Sequence, residues 1–577
     1  MRGARRTSQK AKRQANRTLR WRFVLGFWVL CGSVLVARAV QLQVVEHGFL
    51  AHQGEIRNLR VEPVAAHRGV IRDREGRPLA VSTPVITLWA NPSEALEHPE
   101  KWALLGNNPI IDRAAFAERI ERHKNKEFIY LARGLAPEQA ATILDKGIPG
   151  IHRLTEYRRY YPAGEVTSHV VGFTNIDERG QEGVELAFED RLSGKAGRKQ
   201  VVRDLLGRVI QDIEVLEPAE PGQDVTLSLD LRLQYLAYKE LLAATRRFKA
   251  AGGSAVVLDV KTGEILAMVN QPAYNPNNRG NLDTASLRNR AVTDLFEPGS
   301  TMKPFTVAAA LEQGLVTPTT VINTHPGYLR VGPKTIRDHR DYGVIDVTTV
   351  LTKSSNVGTS KLALSMEPQV LPSYLERFGF GQPTGISFPG ESQGMLPLRA
   401  RWRDVERAAL SYGYGVSVSA LQLAQAYAIM ANHGRKVPLS LVKVDKPPKG
   451  EAVIAADTAD SLVRMLETVV SLEGTASRAR IPGYQVAGKT GTVHKITRHG
   501  YADDRYIGLF AGIAPASNPR IAAVVVIDDP RGKAYYGGLV AAPVFSAIVS
   551  GVLRTLHVPP DKTDGLIAGD LDGEGRS

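Results

Sequence analysis

The chain has 577 residues, 43% of them apolar and 23% charged, a composition that supplies ample core for several domains and excludes a disordered or fibrous protein. Its net charge of +14 would suit a nucleic-acid binder, but nine Lys/Arg and no acid lie within residues 1–22. With Arg38 the first 45 residues carry +10, so about +4 is left for everything that follows, which argues against a nucleic-acid groove.

That basic tail runs into Phe23-Val-Leu-Gly-Phe-Trp-Val-Leu-Cys-Gly-Ser-Val-Leu-Val-Ala37, fifteen residues without a charge. A bilayer span takes about 20 apolar residues, and Trp21 and Val40 extend the run if Arg38 snorkels to the interface. A cleaved signal peptide competes with this reading, because Ala37-Arg38-Ala39 fits the small-x-small cleavage pattern. The basic region is unusually long for a signal, however, and Val40-Gln-Leu-Gln-Val-Val45 continues the apolar pattern as a helix leaving a membrane does. A retained anchor over residues 23–42, behind a cytoplasmic tail over 1–22, is the expectation. On either reading the C-terminal bulk is exported. Cys31, the only cysteine, can form neither an intramolecular disulfide nor a multi-cysteine metal site.

Further along, Arg68-Gly-Val-Ile-Arg-Asp-Arg-Glu-Gly-Arg-Pro-Leu-Ala80 predicts strand, turn and strand, with β-rich sequence continuing over 81–90. Residues 99–148 predict mainly helices, including 112–120 and 136–144 with proline at a helix start. A Pro/acid-rich hinge at Glu217-Pro-Ala-Glu-Pro-Gly222 marks a boundary between a module over 43–218 and another over 219–560. The second begins with a strand at 224–230, a helix at 231–246 and a hairpin at 253–270. A largely helical stretch follows over about 300–432, then strands at 484–492, 506–513 and 521–527 and a helix at 542–556. This order predicts an α+β domain with an antiparallel sheet and an all-helical insertion. Residues 561–577 are Gly/Asp-rich and expected to be disordered.

Within Glu297-Pro-Gly-Ser-Thr-Met-Lys-Pro-Phe305, Ser300 and Lys303 lie three apart where a helix should begin, so they share a face. Serine is a poor nucleophile without a neighbouring base, and lysine can be one if burial or nearby positive charge lowers its pKa. The spacing alone is weak, because Ser440-Leu-Val-Lys443 repeats it. There the context is strand-like, and residues three apart face opposite ways. Order and spacing lift Ser300 above that background. Ser354-Ser-Asn356 follows 54 residues later and Lys489-Thr-Gly-Thr492 another 135 beyond. A second Lys-Thr-Gly, at 261–263, is a hairpin turn ahead of the nucleophile and is set aside. Gly390-Glu-Ser-Gln-Gly394 matches the hydrolase nucleophile elbow, but Pro389 and Pro397 leave no strand–turn–helix for it.

In order, these three elements are the penicillin-recognising serine enzyme set. Ser300 is then the acyl acceptor, Lys303 its general base, Ser354 a proton relay, and Asn356 a holder of Lys303 or of a substrate amide. Lys489, Thr490 and Thr492 offer charge and hydroxyls to a terminal carboxylate, with Gly491 among the substrate-binding positions. Backbone N–H groups of Ser300 and Thr492 form the expected oxyanion hole.

The chain thus resembles the class B penicillin-binding proteins. Arg68-Gly-x-Ile-x-Asp-Arg-x-Gly76, Arg159-Tyr-Tyr-Pro162 and Gly180-x-x-Gly-x-Glu185 look like that class's pedestal (dimerisation-like) motifs. Ser411-Tyr-Gly-Tyr-Gly415 and Tyr535-Tyr-Gly-Gly-Leu-Val-Ala-Ala-Pro-Val-Phe545 look most like its septal subgroup. The resemblance implies an elongated β-rich pedestal and a D,D-transpeptidase acting on stems that end in D-Ala-D-Ala, with an amine on a neighbouring stem as acceptor. It also implies trapping by β-lactams, an aromatic wall of Tyr506, Tyr535 and Tyr536, no cofactor or metal, and a place in the inner membrane with the catalytic domain periplasmic. A membrane-embedded glycan polymerase and other division proteins are the implied partners. An elongation-specific relative would share the chemistry, and a penicillin sensor or inactive scaffold is a third reading. One departure from the family pattern is Val493, where a small residue is usual.

Overall fold

The computed structural model describes residues 4–48, 59–64, 66–203, 209–280, 283–397, 399–497, 500–532 and 534–562. A helix spans Ala4–Val40 and continues as a π-turn over Gln41–Val45. Within it, Leu19–Val45 is one N-terminal apolar stretch, mean hydropathy 2.1, long enough to cross a membrane. Most of the tail expected to be disordered, 563–577, lies outside the described residues. Asp561, at its start, is held, its carboxylate accepting from Gln485 N at 2.8 Å and Ser517 Oγ at 2.5 Å.

The remainder forms two compact units that do not follow a single cut in the chain. One comprises 1–66, 85–156 and 195–220, the other 67–84, 157–194 and 221–577. In the first, Leu59–Val64, Gly197–Arg203 and Val209–Glu217 form an antiparallel three-stranded sheet. Its helices Arg113–Arg122 and Pro137–Leu144 enclose a small core with Leu88, Phe116, Ile120, Ile129 and Ile143. Asp112 caps the first of these helices by accepting from Ala115 N at 2.8 Å. The structure adds Ile129–Leu135, a strand pairing with Ile86–Ala90, inside a stretch where helices were expected. Its Arg133-Gly134 interrupts the alternation by which a strand is recognised.

In the second unit, the three pedestal-type motifs meet at one buried ionic cluster. Arg159 Nε donates to Glu185 Oε1 at 2.6 Å and Arg68 Nε to Oε2 at 2.8 Å. Arg68 also pairs with Glu189 at 2.8 Å, and Arg159 donates to Gly69 O at 2.7 Å. Removing Glu185 would leave buried Arg159 without a carboxylate partner among the described residues and Arg68 with Glu189 alone, the kind of loss that costs about 3–5 kcal/mol. The motifs therefore record a folding constraint on residues far apart in the chain.

The second unit is α+β, built on a five-stranded antiparallel sheet: β1 (Gly252–Asp259), β2 (Ile265–Gln271), β3 (Ala487–Thr497), β4 (Gly500–Ala514) and β5 (Ile521–Asp528). The strand order is β2-β1-β5-β4-β3, which leaves β3 at an edge. β1, β2 and nearly all of β5 are buried on both faces, which explains their near-continuous Val/Ile/Leu/Ala sequence. The sheet packs against helices Leu231–Arg247 and Ala542–Thr555, which also touch each other, and against Ala420–Ala431, whose twelve residues are all buried. Between β2 and β3 come the helices Lys303–Glu312, Asn356–Ser365, Val370–Arg377 and Asp404–Ser411, with short hairpins the sequence reading did not separate from them.

Candidate active site

Ser300 is the second residue of a 3₁₀ turn, Gly299–Met302, that feeds directly into the helix Lys303–Glu312. Gly299 has φ +54°, a conformation suited to glycine, and a Cβ there would lie 2.5 Å from Val493 Cγ1. Val493, the departure from the family pattern, is thus accommodated by the open side of Gly299 and is itself buried. Gly413 closes the opposite side: Gly299 N donates to its carbonyl at 3.2 Å, and a Cβ on Gly413 would meet Gly299 O at 2.2 Å. Two glycines thus let three segments crowd around the Ser300 turn.

Ser354 and Asn356 arrive between two helices. Ser354 has φ +60°, an uncommon conformation for a side chain to hold, and Ser355 caps the helix Asn356–Ser365 by accepting from Gly358 N at 2.8 Å. Asp338 fixes this junction: its carboxylate accepts from Ser355 Oγ at 2.6 Å, Asn356 N at 2.5 Å and Val357 N at 3.0 Å. On β3, residues 490, 492 and 494 face one side and 489, 491 and 493 the other, by the two-residue period of a strand. Lys489 therefore points beneath the cavity.

The three motifs converge on one hydroxyl. Lys303 Nζ donates to Ser354 O at 2.5 Å and Asn356 Oδ1 at 2.8 Å and lies 3.1 Å from Ser354 Oγ. Lys489 Nζ approaches the same Oγ at 3.0 Å. Both lysines are fully buried. Burial, and then the charge of Lys489, hold the Lys303 amine well below the ordinary lysine range, against an opposing pull from Asp338. Burial brings Lys489 down to about 7. The Lys303 bonds go to Ser354 and Asn356, and among the described residues none joins it to Ser300 Oγ. A neutral amine has two N–H donors, and Ser354 O and Asn356 Oδ1 can take both while its lone pair stays open.

Above this floor lies a cavity of about 560 Å3, lined by Ser300, Ser354, Asn356, Thr490, Thr492, Tyr506, Tyr535 and Tyr536. Gly491 is buried against the Ser300 turn, where a Cβ would stand 2.9 Å from Pro298 O. Thr492 Oγ1 accepts from Gly537 N at 3.0 Å, which leaves its own proton for a ligand. Tyr506 and Tyr535 stack with ring centroids 4.1 Å apart, and Tyr535 and Tyr536 at 4.5 Å. His494 joins the stack at 4.7 Å from Tyr506. Sequence reasoning missed His494, although strand alternation from Thr490 and Thr492 points to it. It also missed Thr475, whose hydroxyl lies 3.1 Å from that of Thr490, and Glu297, whose carboxylate accepts from Tyr501 OH at 2.8 Å and Gly415 N at 2.9 Å.

The rival motifs stand elsewhere. Ser440 Oγ donates to Val442 O at 2.6 Å while Lys443 Nζ donates to Arg74 O at 2.9 Å, so that pair is not coupled. Ser392 Oγ donates to Thr293 O at 2.9 Å, and no helix follows it.

Asp338→Asn tests how this site is tuned. The Asp338 charge raises the Lys303 pKa, so its loss keeps the amine neutral to lower pH. The acidic limb of penicillin acylation is expected to move to lower pH, while the maximal rate falls about tenfold as the cap on Asn356 weakens. Stopped-flow acylation across pH reads both effects, and a limb moving upward would contradict the assignment.

Comparison with known proteins agrees with this architecture. A family model of the penicillin-binding protein dimerisation domain matches residues 63–227, and one of the penicillin binding protein transpeptidase domain matches 253–550. The chain is 45% identical over 567 residues to the peptidoglycan D,D-transpeptidase FtsI of Escherichia coli K12, covering 96% of this chain and 95% of the other. It is 44% identical over 545 residues to the probable peptidoglycan D,D-transpeptidase PbpC of Pseudomonas aeruginosa, covering 94% and 96%. Among solved structures it is similar to penicillin-binding protein 3 of Mycobacterium tuberculosis complexed with aztreonam, at 30% identity and TM-score 0.68 over 86% of this chain and 98% of that one. The apo transpeptidase domain of Burkholderia pseudomallei penicillin-binding protein 3 is 42% identical, with TM-score 0.54 over 58% of this chain and 98% of that one. A dimerisation-domain match, a transpeptidase-domain match after it and 45% identity along almost the whole chain place this protein among the class B penicillin-binding proteins.

Proposed function

We propose that the chain is a peptidoglycan D,D-transpeptidase that cross-links stem peptides during septal wall synthesis through an acyl-enzyme on Ser300. The observation that carries this reading is the Ser354 hydroxyl held between two buried lysine amines at the floor of the cavity that Ser300 lines. Ser300 Oγ attacks the carbonyl between the last two D-alanines, and its proton passes to neutral Lys303. The oxyanion takes N–H donors from Ser300 and Thr492, each such donor being worth about 10²–10³ in rate. Collapse of the adduct breaks the peptide bond, and the departing D-alanine amine collects its proton through Ser354. An amine on a neighbouring stem then attacks the acyl carbon, gives up a proton along the same path, and Ser300 leaves as the hydroxyl.

Lys489 with the hydroxyls of Thr490 and Thr492 anchors the terminal carboxylate, and Asn356 steers Lys303. The stacked tyrosines Tyr506, Tyr535 and Tyr536 form a wall for the apolar parts of the stem or of a β-lactam. Support for the septal role comes from the FtsI relatives, which are named for the same activity. The N-terminal helix anchors the chain in the inner membrane with its basic end cytoplasmic and its catalytic domain periplasmic. The chemistry extends no glycan, so a membrane-embedded glycan polymerase and other division proteins are the partners. Given a D-Ala-D-Ala pentapeptide donor and an amine acceptor, the chain is expected to release one D-alanine per cross-link and to stop when penicillin is added. Release of D-alanine with no product carrying the acceptor would overturn this reading.

A further inference from the structure

Beside the catalytic cavity lies a second one, of about 860 Å3, whose lining includes Arg247, Glu467, Arg478, Arg480 and Lys562. Ser477, Arg478 and Leu539 line both cavities, so the two meet along one wall. Its Ser477 and Arg478 lie two and three residues beyond Thr475, whose hydroxyl pairs with Thr490.

The second cavity has an excess of positive charge. Four cationic side chains face one acid, and the Glu467 carboxyl is pushed up by burial and by the charge of Asp561, which favours its neutral form. Asp561 itself is engaged by Gln485 and Ser517. Arg480 Nε is committed to Ser477 O at 3.1 Å, and the Arg247 guanidinium lies over the Phe248 ring at 5.5 Å. Arg478 is exposed at the junction and, among the described residues, makes no hydrogen bond or ion pair. An unneutralised guanidinium at the mouth of a basic cleft is suited to bidentate recognition of a carboxylate.

The chemistry of acyl transfer says what would arrive there. The entering amine attacks the acyl carbon from the side the leaving amine vacated, because each step is the reverse of the other. If Lys489, Thr490 and Thr492 hold the carboxylate of the departing D-alanine, the acceptor enters by the Thr475–Arg478 side, and its peptide runs on into the second cavity. We infer that this basic cavity is the acceptor subsite, and that Arg478, backed by Arg247 and Arg480, selects an acceptor stem bearing free carboxylates. This rests on the transpeptidase reading above and adds to it the site and the charge of the second substrate.

The test uses the full chain in detergent micelles with a D-alanyl thioester donor and two acceptors, a stem tripeptide with free carboxylates and the same peptide fully amidated. In the wild type, KM for the free acceptor is expected to be about tenfold or more below that for the amidated one. Arg478→Glu should raise KM for the free acceptor about tenfold or more, far beyond its effect on kcat or on penicillin acylation. It should leave the amidated acceptor unaffected or improved. Arg247→Glu, which lines the second cavity but not the catalytic one, should act in the same direction. Equal KM for the two acceptors in the wild type, or parallel losses of both acceptors and of acylation in Arg478→Glu, would overturn the subsite. A wild-type chain that penicillin fails to acylate would overturn the transpeptidase reading itself.

Discussion

Ser300→Ala is expected to abolish covalent labelling of the chain by a fluorescent penicillin while leaving its unfolding midpoint essentially unchanged. Among the described residues the Ser300 hydroxyl holds no structural hydrogen bond, so removing one oxygen from a half-buried turn costs little stability. Chemically it is expected to cost everything, because among the described residues the serine in contact with the paired lysines is not free to replace it. Ser354 is nearest to them, but its Oγ is already claimed by both amines and its backbone is fixed at φ +60°. Gel fluorescence of wild type and variant, with intact mass of the acylated product, reads the result. Labelling that survives in Ser300→Ala would remove Ser300 from the mechanism.

Lys303→Met should likewise separate stability from rate. Methionine has nearly the length of lysine without the charge, and an amine with no solvent is costly to keep in the folded state. That gain is set against the bonds lost by Ser354 O and Asn356 Oδ1, so the variant is expected to fold with about the stability of the wild type. Its acylation rate should fall about 10²–10⁴-fold, the range of a well-placed general base. The same burial that destabilises the ammonium is what makes the amine a base: Lys303 sits well below the ordinary range because water is excluded and because Lys489 lies across Ser354. Stopped-flow acylation together with urea unfolding separates the two effects. A variant with the wild-type rate would show that another group removes the Ser300 proton.

Much of this was legible along the chain because it depends on local pattern. Helix starts, hairpins and the apolar N-terminal run follow from spacing and breakers within a window of a few residues. The limits of that reading are physical too. Strands β3 and β4 continue past Thr492 to Thr497 and resume at Gly500, although Lys495, Asp503, Asp504 and Arg505 break the apolar alternation there. An exposed ribbon keeps its ladder without burying a face. Val321–Asn323 and Val344–Asp346 pair as strands of three residues, too short to show any period.

At the site, the order and spacing of three short motifs pointed to Ser300, Lys303, Ser354, Asn356 and Lys489, because together they match the penicillin-recognising serine enzyme set although each is weak alone. Linear order carries no information about supporting residues with ordinary identities. Asp338 reads as one more turn aspartate until its carboxylate is seen to hold Ser355 and Asn356 in place. Glu297 reads as an exposed acid until Tyr501, from the far end of a hairpin, bonds it.

The serine–lysine spacing and its helical context, and the order of the motifs behind an apolar anchor, were therefore properties of the sequence by itself. Only the tertiary structure brought Lys303 and Lys489 to opposite sides of one hydroxyl, across 51 and 135 residues of chain. It also let Gly299 and Gly413 admit Val493 and a third backbone to the Ser300 turn. The reason is that lysine basicity, like the charge of the neighbouring cleft, is set by excluded water and by neighbours in space, neither of which the linear order encodes.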